Sequence, residues 1–479
     1  MKKRRVLSLL LAALMTSSAM LSTSCLKKEE KKEIVKAPAA SSEDNGPQLV
    51  LPDIDGGGES FDVFIGYSVA NSDWKAPEEE TGDTIPDILY QRNKEVMGNF
   101  NVEFTVKDGI TGSNSEGSGI IRSLIQAGDD TYEVFINVQH AGIPLIYEDL
   151  FVEWNESMPY ANLENPWWYQ NVQRDLNFGD KVYVTAGAYN YHCLRGAGVL
   201  AFNKTMLDEL GLEYPYQLVL DGKWTVDRLL DYNRAAQKDL NGDGLLKPDD
   251  DRLGVAGWKW EMIPAFFIGM GGNPVTKNDS SMPELNVNNE RTFNVIDRMI
   301  EIFDDGNGGF SNGETYARTG TMFKEGRLLF HDTTLDQLTG LREMEDDFGA
   351  IPYPKLDEDQ ESYYSRVVNY SSLTYVPVTN TKLELTSAIL EQMAYISHRD
   401  LIPAFYDVIL TIKTSRDTET EQMIDIVRSS ARFMDENFLK SGTLISIVEG
   451  GTNTLSSNYA AQGDAWEARL EDIVEFWEK

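Results

Sequence analysis

Apolar residues along this chain recur with two periods, and each change of period marks a change of element. Phe61-Asp62-Val63-Phe64-Ile65-Gly66-Tyr67 is β-branched and aromatic and predicts a strand. Ile85, Ile88, Leu89 and Val96 follow at helical spacing, with Thr84 as N-cap, Pro86 in the first turn and Gly98 as the stop. Val102 to Val106 alternates as a second strand. Ile120, Ile121, Leu124 and Ile125 mark a helix face that ends at Gly128, and Tyr132, Val134, Ile136 and Val138 alternate as a third strand. Strand, helix, strand, helix, strand predicts an α/β sheet of mainly parallel strands.

Beyond this unit lies a linking region rich in aromatics, with Trp154, Trp167, Trp168 and Tyr169. Strands are expected at 181–186 and 198–202, and an irregular segment at 187–197. Asn203 caps a short helix ending at Gly211, and Thr225 caps a longer one running to about Lys238. Helices are expected at 290–304 and 315–325, and strands at 327–330, 348–352 and 374–378. The chain is mostly helical from Leu383 onward, with a strand at 443–449.

Ahead of the first strand the pattern is different. Lys2, Lys3, Arg4 and Arg5 precede an apolar run from Val6 to Met15, then small and hydroxyl residues to Ser24, then Cys25. A basic start, a short apolar run and a small-residue zone form a secretory signal, and the run is too short to span a bilayer. The stretch resembles a bacterial lipoprotein signal, in which Cys25 is lipidated and becomes the mature N-terminus. It departs from that pattern in one respect, since Leu21 stands four residues before the cysteine instead of three. The alternative is a secreted protein cut nearby. Residues 25–58 read as a flexible tether: Lys and Glu to Lys36, then Ala, Ser and Pro, then Gly56-Gly57-Gly58.

Composition narrows the function classes. The 479 residues allow two or three domains, and 41% hydrophobic content supports a core. The formal net charge is −34, and loss of residues 1–24 with their four cations takes it to −38. Such a surface repels nucleic acid. The two cysteines, Cys25 and Cys193, give no disulfide framework if the first carries lipid, and Cys193 reads as a small buried hydrophobe. The four histidines form no His-Glu-x-x-His motif, and neither a Gly-x-Ser-x-Gly elbow nor a phosphate-cradling loop occurs. Catalysis has no specific support, and the chain is not expected to be an enzyme.

Two constellations carry binding chemistry. From Asp239 to Asp250, a calcium loop of the EF-hand type would draw oxygen ligands from Asp239, Asn241, Asp243, the Leu245 carbonyl and Asp250, with Gly244 at the turn. Lys247 stands at a position that normally supplies oxygen. Calcium would be a structural cofactor, with no organic cofactor beside it; the alternative is a bare Asp/Asn/Gly-rich turn. The second constellation is aromatic residues in polar company, the composition that sugar rings need, with their apolar faces and hydroxyl rims. In a doubly wound sheet, ligands lie beyond the carboxyl ends of strands. The residues expected there are Tyr67, Gln139, His140, Tyr189, Asn190, Trp258, Trp260 and Asp332.

Several motifs together carry a family resemblance. They are Gly82-Asp83-Thr84-Ile85, Tyr90-Gln91-Arg92-Asn93, Phe100-Asn101-Val102, and the run from Ala127 to Val134. Leu200-Ala201-Phe202-Asn203-Lys204, Pro215-Tyr216, Asp221-Gly222-Lys223-Trp224-Thr225, and the run from Asp346 to Lys355 complete the set. Over most of residues 60–479 the chain resembles the extracellular solute-binding proteins of carbohydrate ABC importers, the maltose-binding-like family 1. The resemblance implies a two-lobed periplasmic-binding-protein-like fold, α/β, with a hinge between two mainly parallel sheets flanked by helices. The lobes would be 59–190 with 355–410, and 191–354 with 411–479, with crossings near 189–197, 353–364 and 410–416. It implies capture of a sugar by hinge closure, docking on ABC permease subunits, a membrane held through the lipid anchor, and a monomer. Alginate-type relatives carry a calcium loop in a comparable place. The acidity favours a neutral oligosaccharide as ligand. A surface-tethered glycoside hydrolase and a sensor-associated binding protein that signals to a kinase are the other readings.

Overall fold

The first sheet is built on a strand buried on both faces. In β1 (Glu59–Ile65), Phe61, Val63, Phe64 and Ile65 are all buried. It runs parallel to β2 (Val102–Lys107) on one side and to β3 (Val134–Val138) on the other. The helices Thr84–Phe100 and Asn114–Gln126 make the two crossovers. The computed structural model describes residues 47–67, 74–107, 114–248, 250–304, 309–312, 316–410 and 418–479. The signal, Cys25 and most of the tether lie outside the described residues, as does nearly all of the third crossing.

The remaining strands are β4 (Gly198–Asn203), β5 (Leu253–Trp258), β6 (Val275–Lys277), β7 (Pro283–Leu285), β8 (Gly309–Asn312), β9 (Leu328–Thr334), β10 (Phe348–Ile351), β11 (Ser365–Arg366), β12 (Ser372–Tyr375) and β13 (Ala431–Arg432). The first sheet has the order β12-β3-β1-β2 and the second β10-β4-β9-β5-β8. In each, antiparallel pairing extends the parallel strands: β12 on β3 in the first, and β4 on β9 with β10 on β4 in the second. Each sheet is therefore one α/β layer, and the chain passes between them twice among the described residues. The short β11–β13 pair sits at the second passage.

Helix positions follow the apolar period closely. Helix Glu290–Ile302 buries Val295, Ile296, Met299 and Ile302, and Asn289 caps it by accepting from the Thr292 amide at 2.9 Å. Helix Lys204–Leu210 is capped by Asn203 and ends at Gly211, as its sequence predicts. The helix expected to stop at Gly98 runs on to Phe100, because Asn101 adopts the left-handed conformation that ends it.

Five expectations are corrected. The segment 443–449 is helix Ser441–Glu449, not strand: Leu444, Ile445, Ile447 and Val448 are buried together on one helical face. The strand expected at 181–186 forms only a bridge, Thr185 to Thr374. Residues 51–58 are not free tether, since Leu51 and Ile54 pack on the first core. The Gly56 and Gly58 amides bond the carbonyls of Phe100 and Asn101 at 2.7 Å, and Gly57 and Gly58 supply the positive φ of that turn. Residues 355–364 stay with the second sheet: Lys355 pairs with Thr225, Gln360 donates to the Gly269 carbonyl, and Tyr363 bonds the Trp224 amide. The return therefore falls after β11. The end of helix Leu455–Glu478 reaches the first lobe, where Phe476 and Trp477 pack on Tyr183 and Phe476 on Tyr147.

The tryptophan-rich link is core. Trp154, Trp167 and Trp168 are buried. The carboxylate of Glu391, on helix Leu383–Ile396, accepts from the Trp167 indole at 2.9 Å, the Trp168 indole at 2.7 Å, Asn165 and the Asn162 amide. Burial pushes its pKa up and these donors oppose the shift. Among the described residues no helix is long and apolar enough to cross a membrane.

Candidate functional site

At the carboxyl end of β3 the chain turns into helix Gln139–Ile146, and its first two residues reach across to other segments. The Gln139 side chain donates to the Met434 carbonyl at 2.7 Å, and its amide donates to the Ser371 carbonyl. His140 Nδ1 lies 3.0 Å from the Asn369 carbonyl. These contacts join the first sheet to the loop that follows β11 and to the segment after β13.

The second sheet reaches the same junction from the end of β5. Trp258 is its last residue, and helix Lys259–Gly269 begins directly after it. Trp260 is 45% exposed. Its indole edge faces Gly442, where an added Cβ would meet the ring at 3.7 Å. Lys259 pairs with Glu449 at 3.0 Å. Glu261, one residue past Trp260, is buried and paired with Arg366.

Arg366 is the joint between these parts. Its side chain is 1% exposed, and it contacts both Glu261 and Glu436, the latter at 3.3 Å. Glu436 also accepts from Ser441 at 2.7 Å and Asn369 at 3.4 Å. A continuous polar chain therefore runs from His140 through Asn369 and Glu436 to Arg366 and Glu261. Burial pushes the Glu261 carboxyl up, and Arg366 opposes it. Beside this chain is a cavity of about 260 Å³ lined by Gln139, His140, Asn369, Glu436, Lys440 and Arg469 among others. Two other cavities, about 370 and 260 Å³, lie around Arg174 and contain none of the ligand-site residues expected from the sequence.

The structure separates the predicted site residues into two groups. Gln139 and His140 line the cavity, Trp260 is exposed and lies against Gly442, and Trp258 and Tyr67 are half-buried. Tyr189, Asn190 and Asp332 are corrected: each is buried to 1% exposure or less. Tyr189 stacks edge-on with Trp74 and Trp168, and its hydroxyl donates to Thr374. Asn190 accepts from the Gly187 amide and from Thr374, closing a turn. Asp332 packs on Gly257 and accepts from the Tyr353 hydroxyl. Burial pushes its carboxyl well above the usual range. Glu436, Asn369 and Lys440 also line the cavity and are not among the residues expected from the sequence. They sit in polar loops that carry no aromatic signal, and only the fold brings them to the end of β3.

The loop at 239–250 closes on its own amides. Asp239 accepts from the Gly242 and Gly244 amides, Asn241 from Asp243, and Asp243 from Leu245. The Lys247 ammonium lies 2.6 Å from Asp243 Oδ2. Asp251 points into the loop and accepts from the Leu240 and Lys247 amides. Among the described residues no group of three or more His, Cys, Asp or Glu is arranged to hold a metal. The acidic and amide oxygens expected from sequence are present, but in this conformation Lys247 supplies the positive charge at Asp243.

Two α/β sheets, two passages of the chain between them, and a cavity at the end of a parallel strand together make a two-lobed periplasmic-binding-protein-like fold. No protein-family model matches the chain, and no curated protein matches its sequence. Solved structures do. The GacH receptor of Streptomyces glaucescens, determined unliganded and with acarbose, superposes with a TM-score of 0.55 at 11% identity, covering 87% of this chain and 99% of that one. An ABC substrate-binding protein from Listeria monocytogenes, in complex with cycloalternan, gives 0.54 at 12%, covering 85% and 99%. A cyclic α-maltosyl-1,6-maltose binding protein from Arthrobacter globiformis gives 0.54 at 12%, covering 88% and 99%. At these identities the likeness is one of fold.

Proposed function

We propose that this chain is an extracellular solute-binding protein that captures a sugar or oligosaccharide between its lobes and delivers it to the permease subunits of an ABC importer. The observation that carries the proposal is the cavity at the end of β3. It is lined by amide, imidazole and carboxylate groups, and the exposed Trp260 lies against Gly442, two residues along the chain from the cavity-lining Lys440. An aromatic face beside convergent polar groups is what a saccharide requires. The solved neighbours, which include proteins with acarbose and cycloalternan, support the same reading. Ligand contacts on both walls would favour the closed arrangement and so drive capture.

In this reading Cys25 carries the lipid that holds the protein on the outer face of the cytoplasmic membrane, near its permease, and the protein acts as a monomer without catalysis. The loop at 239–250 takes a structural calcium ion through Asp239, Asn241, Asp243, Asp250 and the Leu245 carbonyl once Lys247 leaves Asp243.

The test is intrinsic tryptophan fluorescence against a panel of neutral mono- and oligosaccharides. A saturable change with at least one of them is expected, with mass spectrometry finding the sugar intact. Turnover of the sugar, or no response across the panel, would refute the proposal.

A further inference from the structure

One carboxylate on the cavity wall has its two oxygens in different situations. Oε1 of Glu436 takes three donors: Ser441 Oγ at 2.7 Å, Arg366 Nη2 at 3.3 Å and Asn369 Nδ2 at 3.4 Å. Oε2 takes none of them. The three donors come from helix Ser441–Glu449, from β11 and from the loop after β11. Two of them are held in turn: Arg366 by Glu261, and Asn369 through its carbonyl by His140. A carboxylate offers about four lone-pair positions, so Glu436 is fixed on one side and has accepting capacity on the other. Its side chain is 20% exposed, at the wall of the cavity.

We propose that Oε2 of Glu436 is the acceptor that reads the ligand's hydroxyl groups, and that it selects an uncharged polyhydroxylated ligand over one bearing a carboxylate or phosphate at that position. The proposal rests on the saccharide-capture reading and narrows it. A hydroxyl donating to an ionised, preorganised acceptor makes a charge-assisted bond with little reorganisation. An anionic substituent there would face a like charge and leave the acceptor unpaired. The cations of the same cavity do not reverse this preference. Lys440 and Arg469 are exposed and screened by water, and Arg469 donates to Asn437 at 2.7 Å. Arg366 is shared between two carboxylates, Glu261 and Glu436.

The experiment titrates the wild type, Glu436→Gln and Trp260→Ala with maltotriose, cellotriose and mannotriose, and with the aldonic acid made from each. Glutamine keeps the shape and one oxygen but replaces the other with a donor and removes the charge. The wild type should bind one of the neutral sugars more tightly than its aldonic acid. Glu436→Gln should lose between about 10- and 100-fold for the neutral sugar and narrow the preference over the acid, with an unchanged melting temperature. If that variant melts early, Glu436→Asp, which keeps the charge and shortens the reach, takes its place and should lose affinity in the same direction. Equal affinity of wild type and variant, alongside weakened binding by Trp260→Ala, overturns the role of Glu436 and leaves sugar capture standing. Preference of the wild type for the acid overturns it as well. Binding of no sugar by the wild type removes the capture reading and this proposal with it.

Discussion

Replacing Arg366 by methionine tests how the site is held together. Methionine fills much of the same volume but carries no charge. Arg366 and Glu261 are 1% and 5% exposed at their side chains, and Glu436 is 20% exposed. Removing one partner of a buried pair leaves the other charge desolvated, which costs about 3–5 kcal/mol. Replacing both partners with apolar groups of similar size is often close to neutral. Arg366→Met alone should therefore lose about 3–5 kcal/mol. Arg366→Met with Glu261→Leu should recover most of that, so the coupling term in the double-mutant cycle should be at least about 2–3 kcal/mol. Urea unfolding followed by circular dichroism measures both, provided that the slope with denaturant stays constant across the set.

The pH dependence supplies an independent check. Burial already pushes the Glu261 carboxyl above 4.5, and Arg366 is the main influence holding it down. Without the arginine the folded-state value rises further. A carboxyl raised in the fold contributes stability that is present below its unfolded pKa and lost as pH rises through the folded value. The deficit of Arg366→Met should therefore grow between pH 5 and pH 8. A deficit below about 1 kcal/mol, or one that is flat across this range, would mean that the pair does not hold the junction in solution.

Three further outcomes are expected. Trp260→Ala should weaken saccharide binding by about tenfold or more while leaving the melting temperature nearly unchanged, since its ring is 45% exposed; equal affinity by calorimetry would remove it from the site. Calcium should raise the melting temperature and a chelator lower it, with Asp239→Asn and Asp243→Asn abolishing the response; identical melting with and without chelator would leave the bare turn held by Lys247. Burial pushes His331 down to about 3 and His192 to about 4, so both stay neutral in the fold and their contribution is lost as pH falls from about 6.5 toward those values; His331→Gln should flatten acid unfolding below pH 6.5, and an unchanged acid midpoint would count against it.

The readable and unreadable parts of this chain differ in range. The first three strands and their crossovers follow from local period, because β1 to β3 bury alternating or continuous apolar runs that the sequence displays. Helix Ser441–Glu449 was readable too: 444, 445, 447 and 448 are spaced for a helix, and the abundance of β-branched residues pointed the other way. Strand β5 escaped because Gly254, Ala256 and Gly257 give it no strand-like composition. Gly257 is small for a reason that lies elsewhere, since a Cβ there would come within 2.4 Å of Asp332. Depth was equally hidden. Tyr189, Asn190 and Asp332 have the residue types of a sugar site, but local sequence does not distinguish a turn at a cleft from a turn in a core. The junction itself is the least local feature. Arg366 meets Glu261 across 105 positions and Glu436 across 70, and His140 meets Asn369 across 229. Apart from His140, each of these side chains alone reads as an ordinary surface polar residue. What makes them a site is that two passages between sheets carry the end of β3, the loop after β11 and the segment after β13 to one place. Local sequence therefore displays such a junction only in part: Gln139, His140 and Trp260 stand out as polar or aromatic residues near expected strand ends, whereas Asn369, Glu436 and Lys440 lie in loops that give no such signal.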